Sequence, residues 1–239
     1  MKRFFPIMYD EPERGMHFAL LAYWLIGFEV VPTFIPLLAD GYWGDLAVLS
    51  WFEVAYHLLN GAVIFIMLRS YLVESFLNVQ LDLKKFVKTV GLSALVMLVM
   101  AGAVHYYMGR MAIDFYPISE KIVAMTSGLL IEQLPVFGTL CCSLLMPLAV
   151  VGLYYVSAFA PVCRRSRWLG YVVVTAVIAL PCFLDILVHG RAEYSMLTFL
   201  LRLPIHWIAC WTYQKTDTVW APVAALTVFN LGTSLMVLL

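Results

Sequence analysis

The sequence predicts an all-α fold, a polytopic bundle of transmembrane helices. Three observations carry this. The 239 residues are 63% hydrophobic and only 13% charged, with a mean hydropathy of +0.90. A soluble domain needs far more charge to cover its surface. Apolar stretches long enough to cross a bilayer recur along the whole length. They also lack the short polar-apolar alternation of barrel strands, which excludes a β-barrel.

The elements follow from hydropathy and its interruptions. Seven spans are expected at about 17–37, 47–68, 87–107, 134–158, 168–188, 195–213 and 218–238, within one domain covering the chain. The tail before the first span mixes Lys2, Arg3 and Arg14 with Asp10, Glu11 and Glu13. It has neither the apolar core nor the cleavage site of a signal peptide, so it is expected to stay as a short cytosolic tail. Loop two carries Arg69, Lys84, Lys85 and Lys88, and loop four carries Arg164, Arg165 and Arg167. Loop one has only Asp40 and Asp45; loop three has Arg110 and Lys121, loop five Arg191 and loop six Lys215. This bias places loops two and four and the N-terminus in the cytosol and the C-terminus outside, and the short loops suit a cell membrane.

Two connectors have patterns of their own. Loop two, SYLVESFLNVQLDLKKF, spaces Leu72, Phe76, Val79 and Leu83 three or four apart. That suits an amphipathic helix lying in the interface, although a plain connector fits as well. The lead-in to span four at about 121–131, ended by Glu132 and Pro135, reads the same two ways. The five cysteines, Cys141, Cys142, Cys163, Cys182 and Cys210, form no Cys-x-x-Cys pair and read as small packing residues.

Charged groups at membrane depth are costly and usually face the bundle interior or a wet cavity. Span one carries Glu29. Span two, WFEVAYHLLNGAVIF, places Glu53, His57 and Asn60 four and three apart, on one helical face. Span five ends CFLDILVHG, with Asp185 and His189 four apart; span six has Arg202 and His206, again four apart. Glu53, His57, Asp185 and His206 are ligand types that zinc accepts, but they match no metal-site spacing. Acid and histidine pairs could instead line a proton or ion path. A glutamate and a histidine such as Glu53 with His57 or His206 could also perform acid–base hydrolysis. A structural polar network, with Arg202 offsetting a buried acid, needs no chemistry at all. No phosphate loop, dinucleotide fingerprint or nucleophile elbow is present, and no cofactor is implied. The net charge of zero leaves no basic face for nucleic acid.

The stretch WTYQKTDTVWAPVAALTVFNL resembles the last block of the CAAX protease and bacteriocin-processing (CPBP, or Abi) family of intramembrane proteases. That block has a threonine, a turn, Trp-Ala-Pro and a helix with His-x-x-x-Asn. Here Thr216, Trp220, Ala221, Pro222 and Asn230 match, while Leu226 stands at the histidine. DILVH is similar to the family's Phe-x-x-x-His block, with His189 at the histidine and Asp185 at the phenylalanine. The Glu-Glu-x-x-x-Arg block has two placements. One puts Val150 and Val151 at the glutamates and Tyr155 at the arginine. The other, EQLPVFG, keeps Glu132 but has Gln133 and Phe137 at the remaining positions.

The resemblance implies a glutamate that activates water, with histidine and asparagine stabilising the oxyanion. Valine and leucine can do neither. The expectation is therefore a catalytically inactive relative that binds a membrane protein or peptide within the bilayer, in a role of the bacteriocin immunity or export type. An active endopeptidase with a reduced site at Glu132, His189 and Asn230, or a displaced one at Glu53, His57 and His206, is the first alternative. A small transporter or channel is the second. Asp185 and Arg202 are expected binding residues, and no metal is assigned.

Overall fold

A computed structural model of the chain describes residues 14–23, 26, 46–110, 147–148, 150–163, 165–190 and 192–238. These residues are helical, with short turns and no strand among them. The elements are α1 (Arg14–Tyr23), α2 (Leu46–Met67), α3 (Arg69–Leu81), α4 (Leu83–Arg110), α5 (Val151–Phe159), α6 (Ala160–Cys163), α7 (Arg167–His189), α8 (Ala192–Thr216) and α9 (Trp220–Leu238).

Two of these helices are long and apolar enough to cross a membrane on the described residues, α4 over Leu83–Ala103 and α7 over Arg167–Leu184. They become three if α2 and α3, bent by 84° at their junction, count as one broken crossing. The described residues thus give the helical class and two to three candidate crossings rather than a count of seven. Glu29, Asp40, Asp45, Glu132, Gln133, Phe137, Cys141, Cys142, Arg164, Arg191, the lead-in at 121–131 and loop three beyond Arg110 lie outside them.

Local chemistry explains the breaks. At Leu68 the backbone (φ −108°, ψ 13°) leaves helical geometry, although its N–H still bonds the Ile64 carbonyl at 2.9 Å. This turns α3 off the line of α2 with no proline at the bend. Between α3 and α4, Asp82 Oδ1 accepts the Lys85 N–H at 3.1 Å, the capping bond of a helix start. α5 is wound as a π-helix, and the Ala160 N–H at its end still bonds Tyr155, five residues back. α7 closes at Gly190, whose left-handed φ of 68° lets its N–H bond the Ile186 carbonyl.

Packing then fixes direction. Gly232 on α9 lets that helix approach α4 so closely that an added Cβ would lie 2.6 Å from Leu98. About two to three turns toward their starts, Val90 packs with Ala221 and Ala225. The contacts step along both chains together, so α4 and α9 run parallel. α5–α6 and α8 are likewise parallel, because Tyr155 meets His206 and Cys163 meets Gln214, both pairs 51 residues apart. α7 runs against α8, with Tyr171 on Gln214 and Thr175 on Trp207. Hence α4, α7 and α9 set out from one end of the bundle, and α6 and α8 arrive there. Leu20, Ile64, Met97, Val151, Phe159 and Ile178 fill the centre. Phe65, Ile66, Leu95, Val99 and Val172 point outward.

Candidate functional site

The turn from Tyr213 to Trp220, between α8 and α9, is where the polar contacts of that end converge. Ser75 of α3 and Thr218 of the turn face each other with hydroxyls 2.8 Å apart, both buried. Thr218 also donates to the Ser75 carbonyl at 2.8 Å, and the Val219 N–H donates to Ser75 Oγ at 2.9 Å. Asn78 donates to the Asp217 carbonyl at 2.9 Å. The Trp220 indole donates to the Leu72 carbonyl at 2.8 Å and meets the Phe76 ring edge to face, centroids 6.2 Å apart. The phenols of Tyr71 and Tyr213 lie 2.6 Å apart. The Val219 N–H, just before α9, is thus satisfied by a contact 144 residues away in sequence, and the Trp220 N–H that starts the helix bonds the Thr218 hydroxyl at 3.3 Å.

The same turn holds the other helices. Gln214 donates to Cys163 Sγ at 2.8 Å and accepts from the Tyr171 hydroxyl at 3.2 Å. Ser93 of α4 pairs with Thr212 at 2.6 Å. Asp217 sits at φ 53°, the left-handed region that Asp and Asn tolerate better than most residues. Burial pushes its carboxyl above the usual range, with Lys85 pulling the other way. Glu74 Oε2 is buried close by in sequence without a hydrogen-bond partner.

About 12 Å further into the bundle, eight helical residues from Gln214, lies His206. Its Nδ1 is 2.7 Å from the Tyr155 hydroxyl, which donates to the imidazole or accepts from it according to the tautomer. Tyr155 is fully buried. Nearby, Phe159 stacks edge-on between Tyr171 and Tyr213, and Trp207 donates to Thr175 at 3.1 Å.

The sequence-predicted residues fall as follows. Val150 and Val151, at the glutamate positions of the first placement, are 8% and 1% exposed, on or beside α5. Leu226 is buried on α9, as is Asn230, whose carbonyl accepts from Thr233 at 3.0 Å. Glu53, His57 and Asn60 all lie within α2, and the Tyr23 hydroxyl of α1 donates to Asn60 Oδ1. Asp185 and His189 lie in α7, with His189 its last residue, and Arg202 lies in α8 one turn before His206. Of the predicted set, the structure brings His206 to Tyr155. Cys163, Cys182 and Cys210 are buried outside any disulfide. Among the described residues no group of three or more His, Cys, Asp or Glu could hold a metal.

Sequence reading missed the α3–α9 joint. Ser75, Asn78 and Tyr71 carry no motif, and the usable signal was the Thr-Val-Trp start of α9. Chemically, Ser75 and Thr218 offer hydroxyls held by each other and by backbone groups, with no imidazole or carboxylate bonded to these two among the described residues. That arrangement fastens helices; it does not generate a nucleophile. No protein-family model, no curated protein and no solved structure matches the chain.

Proposed function

We propose that the protein is a seven-span membrane protein of the cell membrane, N-terminus in the cytosol, that binds a membrane protein or peptide and does not cleave it. In this reading it is a relative of the CAAX protease and bacteriocin-processing family that keeps the closing hairpin and has lost the hydrolytic groups. The supporting observation is the chemistry at the positions that the first placement of the resemblance, at Val150, makes catalytic, together with Leu226. Val150, Val151 and Leu226 are buried hydrocarbon, and Tyr155 is engaged with His206. None of the four supplies a carboxylate to activate water or a cation to stabilise an oxyanion. The frame around them is elaborated instead: Thr218, Trp220 and their partners on α3 form a continuous hydrogen-bonded joint.

The deciding experiment is a peptide-library cleavage assay on the reconstituted chain, beside Glu132→Gln, His189→Ala and Glu53→Gln variants. No cleavage above the empty-vesicle background is expected from any of them. Cleavage by the wild type that one of these substitutions abolishes would make the protein a peptidase with a reduced or displaced site.

A further inference from the structure

α3 has two apolar faces, and only one is used inside the bundle. Leu72, Ser75 and Val79 are buried against the start of α9. On the other side, Val73, Phe76, Leu77 and Leu81 form an exposed stripe at helical spacing, with Leu81 83% exposed. The 84° bend at Leu68 carries this stripe away from the line of α2. It lies between the outward-facing Phe65 and Ile66 of α2 and Leu83 and Val87 of α4. The apolar belt of the bundle therefore continues onto the underside of a helix that runs across its end.

Cations surround the stripe. Arg69 begins α3, and Lys84, Lys85 and Lys88 lie in the first turns of α4, all exposed. Arg165 and Arg167, followed by the exposed Trp168, and Lys215 belong to the same end, because α6, α7 and α8 meet there. Among the described residues the acids of that end are Glu74, Asp82 and Asp217, and Asp82 is occupied by the Lys85 N–H. An apolar stripe beside a cluster of lysines matches an acyl layer topped by negative headgroups.

We propose that α3 and the lysines at the start of α4 form a docking surface for anionic phospholipid headgroups of the leaflet at that end. This rests on the membrane-bundle part of the function proposed above and is independent of whether the protein cleaves peptides. The test uses the full chain reconstituted into phosphatidylcholine vesicles that carry a trace of spin-labelled phosphatidylglycerol or of spin-labelled phosphatidylcholine. The motionally restricted fraction of each label is measured. Phosphatidylglycerol is expected to be favoured about fivefold, the factor one basic residue near an anionic surface is worth. The triple variant Lys84→Gln, Lys85→Gln, Lys88→Gln should bring the ratio close to one. The matching triple change to arginine should keep it, which separates charge from folding. Inorganic phosphate should lower the ratio no more than sodium chloride at the same ionic strength. Equal association of both lipids, a ratio indifferent to the glutamine changes, or its loss in phosphate but not in the matched chloride would overturn the proposal. A chain stripped from the vesicles by alkaline carbonate would overturn the membrane reading itself; a carbonate-resistant chain with no lipid preference would overturn the docking surface alone.

Discussion

Asp217 combines two local demands. It turns the chain through a left-handed conformation at φ 53°, and it carries a carboxyl whose ionisation is opposed by burial. Asparagine meets the first demand and has no charge to desolvate. Because the folded state raises this pKa, folding binds a proton between the unfolded carboxylate value and the folded one. Stability from this residue is therefore greatest below the unfolded value and is lost as pH rises through the folded value. Asp217→Asn should be more stable than the wild type at neutral pH. The difference should shrink on acidification and vanish below the ordinary aspartate range. Thermal unfolding in detergent across pH checks this, and an advantage that grows toward acid would contradict it.

The α3–α9 joint is the element-scale feature. Ser75 and Thr218 bond each other, and Ser75 Oγ also takes the Val219 N–H. Removing either hydroxyl strands a buried polar group, at a cost of about 1–3 kcal/mol. Ser75→Ala and Thr218→Val should each lower the melting temperature, and the double variant should lose less than the sum of the two. Strict additivity would show that the contact carries no energy. This joint also marks what local sequence could and could not reveal. A helix in loop two was legible from the three-to-four spacing of Leu72, Phe76, Val79 and Leu83. Its inward face was not. Leu72 and Val79 do turn inward, yet Ser75 takes the place between them, while Phe76 and Leu83 are exposed. Serine is buried there because Thr218, 143 residues away, offers its hydroxyl, and periodicity holds no record of distant partners. The pairing of His206 with Tyr155 was hidden for the same reason. The intervals at 47–68, 168–188 and 195–213 overlap the helices α2, α7 and α8, of which α7 alone passes by itself as long and apolar enough to cross a membrane on the described residues.

At the scale of the molecule, helix directions and charge agree. α4, α7 and α9 depart from the end at which α6 and α8 arrive, and Lys85, Lys88, Arg165, Arg167 and Lys215 cluster there. In the topology proposed above, that end lies in the cytosol on the lysine and arginine bias of the loops, and the Tyr213–Trp220 turn is the knot that holds it together. Around this frame, Val150, Val151, Tyr155 and Leu226, which stand at hydrolytic positions in the first placement of the resemblance, are buried. A shared cytosolic end for loops two, four and six is the claim on which the lipid-docking surface and the seven-span topology both depend. It is tested by labelling single cysteines in intact cells with a membrane-impermeant maleimide, using Lys88→Cys, Arg167→Cys and Lys215→Cys against the parent chain as background. All three should stay unlabelled until the membrane is permeabilised, whereas Arg110→Cys at the far end of α4 should label from outside. Labelling of some of the three in intact cells, with the others protected, would contradict the account.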